Sequence, residues 1–374
     1  MKNISSIGAL AMSALLVFSS CGKDEDPTVP TLTIADSYVS SNWENNTSNV
    51  SAIRTQFNSL VTYMKTGQDG STKLDGTQLN MLLNQNNLLA DFSGDFKTDI
   101  QGIYFPSLVK NSGQAFHPDS AATAVLGGAF EGRLLSERAY EILQAVDKGL
   151  YGAGYLNQII TLGKGTLDQA KLDQMLAFYG AHPSFPNTPT AANAAYPDVL
   201  VANYAARRDK NDGQGLYSQI KRNFLTLQAT LLVEGDWTNE RKTAQVELQQ
   251  NIEKALAATT INYMKAAVKK LSATSLTDAD KAGALHDLGE AYGFILGFNY
   301  INSADRMIQS TDLDYVLGKM GKNGTDIHQY SFVNDPVNSL PNLEEAWKRL
   351  ATVYGFTTQE MADFEYNWVS TQSR

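Results

Sequence analysis

The residues of this 374-residue chain best placed to do chemistry are a histidine and a glutamate one helical turn apart. His286 and Glu290 lie in Ala-Gly-Ala-Leu-His-Asp-Leu-Gly-Glu-Ala-Tyr-Gly-Phe-Ile-Leu-Gly-Phe-Asn-Tyr-Ile-Asn, residues 282–302. At about 100° per residue, with His286 at zero, Glu290 falls at about +40°, Gly293 at about −20°, Gly297 at about +20° and Tyr300 at about −40°. Ala279, Ala282, Gly283 and Gly289 fall on or beside this face, so small residues flank one imidazole and one carboxylate. Another backbone must come close, or something must fill the space. Leu285, Leu288, Tyr292, Phe294, Ile295, Leu296 and Phe298 cover the other directions, the pattern of a helix buried nearly all round.

Three chemistries suit the pair. A buried imidazole and carboxylate can satisfy each other or neighbouring backbone. They can give two ligands on one helix face to iron or zinc, with the rest supplied by facing helices. They can also act as a hydrolytic acid–base pair, Glu290 orienting His286, which requires a cleft. A catalytic zinc usually takes three protein ligands, and His117, His182 and His328 all lie in or beside loops, so none stands out as the third.

Other clusters read as architecture. Asp209-Lys-Asn211-Asp212-Gly213-Gln-Gly215 has its third acidic position one residue early for an EF-hand, and Ile220 stands where the twelfth-position Glu belongs, which makes it an interhelical turn. Gly163-Lys164-Gly165-Thr166 lacks the first Gly of a phosphate loop, Gln158 standing there, and no strand precedes it. Glu131, Arg133, Glu137, Arg138 and Glu141 read as a solvated salt-bridged helix face, with Arg133 and Glu137 as an i, i+4 pair. Trp43, Trp237, Trp347 and Trp368 are scattered, and no aromatic platform is legible.

The other chemical residue is the one cysteine, Cys21. Lys2 supplies a positive n-region, Ile7 to Phe18 an apolar stretch, and Ser19-Ser20 small residues, so residues 1–20 read as a signal peptide. The run is too short to span a bilayer. Phe18-Ser19-Ser20-Cys21 resembles the lipobox of bacterial lipoproteins, which implies that the Cys21 thiol carries a diacylglyceryl group and becomes an acylated N-terminus. Lys23-Asp24-Glu25-Asp26 resembles the surface-export signal of Bacteroidetes lipoproteins, implying an outer-membrane, cell-surface location with the membrane as partner through the lipid. With Cys21 lipidated, no thiol remains for a disulfide, a thiolate zinc site or cysteine catalysis.

Loss of residues 1–20 removes one positive charge, Lys2, and moves the formal charge from −9 to −10. This acidic balance argues against nucleic acid as a partner. The remaining residues, 43% of the chain being apolar, suffice for one large helical domain or two of ordinary size. Residues 21–47 read as a lipidated acidic tether and 48–374 as one large helical domain, or two bundles meeting near 181–198.

The elements follow from periodicity. Val50, Ile53, Phe57, Leu60, Val61 and Met64 predict a helix from Ser48, stopped by Gly67 and Gly70. Pro118 suits a first helical turn, and a helical tract is predicted from Asp119 to Lys148. Thr166 to Gln169 has capping-box spacing before a helix stopped at Gly180. Thr238 opens the longest tract, to Leu271; Thr277 and Thr357 open two more. Residues 181–198, rich in Pro, and 318–342 read as long loops. No fixed-period repeat is present. The fold class is all-α, with ten to thirteen helices and strands nearly absent.

The lipoprotein start, the Tyr196-Pro197 to Arg208-Asp209 segment and Leu285-His-Asp-Leu-Gly-Glu-Ala-Tyr-Gly-Phe294 resemble the Bacteroidetes lipoproteins grouped as domain of unknown function 4856. The resemblance implies a neighbourhood of imelysin-like proteins in iron acquisition. Those proteins carry Gly, any, His, any, any, Glu; here Ala284 replaces the Gly and Glu290 follows His286 after four residues. The expectation is a lipid-anchored binding or accessory component of nutrient uptake, without enzymatic activity. Iron or haem would be the cargo, His286 and Glu290 the metal ligands, and an outer-membrane transporter or another lipoprotein the partner. A hydrolase using the same pair and a structural surface lipoprotein without ligand are the alternatives.

Overall fold

The computed structural model describes residues 31–188 and 195–374. The signal peptide, Cys21 and the first part of the tether lie outside the described residues. The protein is all-α. Eleven helices of eight or more residues are present among the described residues, with shorter helical turns between them and two small hairpins. No described helix is long and apolar enough to cross a membrane.

The Thr238–Leu271 helix organises the body. Its 34 residues run about 51 Å at 1.5 Å per residue. Most positions from Asn251 to Met264 are buried whichever way they face, since Leu216–Leu232, Asp278–Gly297, Leu200–Arg208 and Pro336–Tyr354 pack around it. Glu253, fully buried on this helix, accepts the backbone N–H groups of Met307 and Ile308 and the Tyr354 hydroxyl at 2.8–3.0 Å, so one carboxylate ties two later segments to it. The buried side chains form one contiguous cluster.

The Asp278–Gly297 helix begins at a reciprocal cap, in which Thr277 accepts from the Asp280 N–H and the Asp280 side chain accepts from the Thr277 N–H. It lies against Leu143–Leu150 and the π-helical turn Tyr151–Leu156 that continues it. Glycines make that contact. A Cβ on Gly293 would run into the Gln144 carbonyl oxygen and one on Gly297 into that of Gly149, while a Cβ on Gly152 would stand 2.7 Å from the Gly297 carbonyl carbon. The face of small residues is therefore filled by another backbone.

Several expectations are corrected. The predicted 119–148 tract is a 3-10 turn, Pro118–Ser120, then a hairpin pairing Gly128–Phe130 with Arg133–Leu135, and only then the helix from Leu143. The hairpin turn holds Glu131 at φ 46° and Gly132 at φ 73°, the left-handed pair a two-residue turn requires. Asp168, not Thr166, caps Gln169–Tyr179, accepting from the Lys171 N–H at 2.8 Å. The 318–342 loop contains a hairpin, Lys322–Asn323 with Asp326–Ile327, a short helix Tyr330–Asn334, and the start of Pro336–Tyr354. The tether is docked from Tyr38 on: the buried Asp173 carboxylate accepts from the Tyr38 and Ser40 hydroxyls, both at 2.6 Å, and from the Asn46 amide at 2.7 Å. Trp43–Asn46 forms a helical turn there.

The seam makes a prediction about two glycines of one helix. Gly293→Ala should destabilise the protein by about 3 kcal/mol through overpacking. Gly283→Ala, where only the flexible Lys270 side chain lies near, the closest atom 3.5 Å from the new Cβ, should be neutral or gain about 0.5–1 kcal/mol from helix propensity. Urea denaturation midpoints of the two variants check this.

Candidate functional site

The seam brings the 141–148 segment against the face that carries His286 and Glu290. His286 Nδ1 lies 2.7 Å from Glu141 Oε2, and its Nε2 lies 3.6 Å from Glu290 Oε1. Glu290 Oε1 is also 3.2 Å from the Lys148 ammonium, which stands 3.1 Å from Asp147. Arg133 reaches to 3.7 Å of Glu141 from the hairpin. Three carboxylates therefore face one lysine, one arginine and one imidazole, and the cluster is neutral when the imidazole carries its second proton. Gln144 Oε1 and Glu290 Oε2 are buried without a donor among the described residues. His286 Nδ1 also stands 3.2 Å from Gln144 Nε2, its shorter contact being with Glu141, which in turn accepts from the Gln68 amide at 3.1 Å.

Electrostatics agree with the geometry from both sides of the ion pair. Burial works to raise the Glu290 carboxyl, yet Lys148 first, and then His286, hold it below the usual carboxylate range. Burial alone would lower the Lys148 ammonium, but Asp147, with Tyr204 and Glu290, turns its shift upward. Both groups are charged. The ammonium also sits 5.6 Å from the ring centroids of Tyr151 and Tyr204 and 5.9 Å from that of Phe294, a desolvated aromatic cage of the kind that favours a cation.

Of the sequence candidates, His286 and Glu290 do lie together, with the His286 side chain 23% exposed and that of Glu290 only 8%. Asp147 and Lys148, which complete the cluster, are not among the sequence candidates. Glu141 was read as part of a solvated helical face, but its side chain has no exposure. Arg133 and Glu137 do not pair: Arg133 turns to Glu141 and Glu137 to Lys110. The available signals were a single carboxylate inside Tyr140-Glu141-Ile142-Leu143 and the adjacent Asp147-Lys148 ahead of the small and apolar run 149–156.

His286 Nδ1 is committed to Glu141, and the carboxylate oxygen nearest Nε2 is neutralised by Lys148. Among the described residues no group of three or more His, Cys, Asp or Glu is arranged to hold a metal ion. Glu141, Lys148, His286 and Glu290 line none of five clefts found among the described residues. The Asp209 loop is architectural: the carboxylate accepts from the Asn211 and Ser218 N–H groups at 2.6 and 2.8 Å.

The 181–198 connection is closed at its base by another buried carboxylate. Asp198 accepts from the Tyr217 hydroxyl at 2.9 Å and the Thr188 N–H at 2.8 Å, and the Asp198 N–H donates to the Thr188 carbonyl. Burial pushes this carboxyl up to about 7, against the pull of the Tyr217 and backbone hydrogen bonds.

Residues 177–357 match the family model described as a domain of unknown function, DUF4856. No curated protein and no solved structure matches the chain.

Asp198 gives a pH prediction. Its folded-state pKa stands above the unfolded value near 4, so between about pH 4 and 7 the folded state holds the extra proton. Its contribution to stability is then largest below pH 4 and declines as pH rises to about 7. The stability difference between wild type and Asp198→Asn, measured by denaturation at pH 5 and pH 8, should shift against wild type at the higher pH.

Proposed function

We propose that this chain, which carries the DUF4856 domain over residues 177–357, is a non-catalytic binding or accessory protein held at a membrane surface by a lipid on Cys21. The observation that carries the reading is the Lys148 ammonium set against Glu290 in the helix seam. It turns the one pair with catalytic or metal-binding spacing into a self-neutralised structural cluster, so that no catalytic group remains there for substrate. Removal of Lys148 would leave Glu290 and Asp147 buried without their cation, at a cost of about 3–5 kcal/mol, whereas removal of Glu290 would leave the lysine its contact with Asp147.

The docked N-terminal segment supports the anchoring part. Tyr38 is fastened to Asp173 and follows Cys21 by 17 residues, a span of at most about 60 Å when fully extended. A body on so short a lead works beside the membrane, where an outer-membrane transporter or a neighbouring lipoprotein would be its partner. Iron or haem as cargo would have to be held without His286 and Glu290.

Elemental analysis of the purified protein tests this. The expected result is no stoichiometric iron or zinc, with His286→Ala lowering the melting temperature and leaving the metal content unchanged. Stoichiometric metal that is lost in His286→Ala would restore the metal-ligand role and overturn the reading.

A further inference from the structure

A cleft of about 430 Å³ that no chemistry above uses opens between the Ile100–Tyr104 turn, the 136–142 loop and the Asp326–Ile327 edge of the second hairpin. Every wall belongs to a continuously described stretch of chain. Ile103, Ile142 and Ile327 give it an apolar lining, and two neighbouring phenols share it, Tyr104 and Tyr140. Both are buried, at 7% and 3% exposure. Among the described residues the Tyr140 hydroxyl has no hydrogen-bond partner and nothing accepts from Tyr104, the Asp99 carboxylate that bears on it accepting from Tyr300 instead. Two O–H groups therefore lack an acceptor.

The backbone beside each phenol has an uncommon geometry. Ile100–Tyr104 is a π-helical turn, a form found mostly as short insertions and often at functional sites. Ala139, fully buried next to Tyr140, sits at φ 61°, in the left-handed region that a Cβ disfavours. The surroundings impose it. Ser136 Oγ accepts from the Arg138 and Tyr140 N–H groups at 3.2 and 3.1 Å, and the Arg138 guanidinium donates to the Ala121 and Ala124 carbonyls.

Burial, and then Asp99, raise the Tyr104 phenol, while burial with the neighbouring phenols Tyr104 and Tyr292 raises Tyr140, so both stay neutral at physiological pH. The rim is charged. Lys110 and Glu137 pair there at 2.6 Å, and Asp326, 72% exposed, has only the His328 imidazole within 4 Å among the described basic groups, at 3.9 Å. With Arg138 committed to backbone carbonyls, the rim has one carboxylate in excess, which repels an anion and attracts a cation. The phenols match a carbonyl oxygen, and the isoleucines match apolar side chains.

We propose that this cleft binds a short apolar peptide, its side chains on Ile103 and Ile327, a backbone carbonyl on the phenol pair and its terminal ammonium at Asp326. A fatty acid would bring its carboxylate against the rim carboxylates, and a sugar would leave the isoleucines without an apolar partner. The volume lies within the range of small-ligand sites. The assignment rests on the binding-protein reading and specifies its ligand class.

Full-length protein in detergent, titrated calorimetrically with dileucine amide, its N-acetyl form, decanoate and galactose, tests the proposal. Dileucine amide should bind saturably, and acetylation, which removes its charge, should weaken it several-fold. Tyr104→Phe should weaken it about fivefold, the scale of one hydrogen bond. Tyr140→Phe deletes a hydroxyl that has no partner in the fold, so affinity should fall while the melting temperature holds or rises. No binding of dileucine amide, or unchanged affinity in both phenylalanine variants, would overturn the proposal. Saturable binding of decanoate or galactose in place of the peptide would overturn the ligand class and leave the binding-protein reading standing. That reading fails separately, on the metal content tied to His286, which this cleft does not touch.

Discussion

The contact on which the rest of this structure depends is between two helix backbones. Gly293 and Gly297 on one side and Gly152 on the other have no Cβ to hold the helices apart, so Asp278–Gly297 seats directly on 143–156. Polar side chains flanking such a seam lose water and must satisfy one another. Glu141, Lys148, His286 and Glu290 do this by charge alternation, and Tyr151, Tyr204 and Phe294 close over the lysine. The π-helical turn Tyr151–Leu156 lies where the partner helix crosses the last glycine, so local helix geometry has yielded to the packing.

The same economy of one buried carboxylate per junction recurs elsewhere. Glu253 joins the long helix to the 307–308 segment and to Tyr354; Asp173 fastens the N-terminal segment; Asp198 closes the 181–198 connection. Glu253 and Asp173 accept from elements far apart in sequence, Asp198 from residues 10 and 19 positions away. With no disulfide available among the described residues, such junctions and the contiguous apolar core hold the chain together.

Much of the fold was legible in the sequence. The helices opening at Ser48, Thr238 and after the Thr277 and Thr357 caps follow from periodicity and capping, which are local properties, and they stand where expected. The crowded face of Asp278–Gly297 was legible too, as a face that either another backbone or a filling group has to cover. What was not legible is which backbone, because Glu141 and Lys148 meet His286 and Glu290 only through tertiary packing. The 119–148 error has a local cause: apolar spacing there is compatible with a helix, but Gly127-Gly128 and the left-handed Glu131-Gly132 turn break it, a signal that the periodicity outweighs. The docking of the N-terminal segment was out of reach for the same reason as the seam, since Asp173 meets Tyr38, Ser40 and Asn46 only in the folded chain. That segment's polar composition reads as a tether.

The central claim is that Lys148 and Glu290 are a buried structural pair and not the remnant of a reactive site. A double-mutant cycle with Lys148→Met, Glu290→Gln and the combined variant, followed by urea denaturation, tests it most directly. The account predicts that each single change is strongly destabilising and that the double variant is less destabilised than the sum, by about 1–3 kcal/mol of coupling. Additive effects, with each single change costing less than about 1 kcal/mol, the scale of exposed pairs, would contradict it.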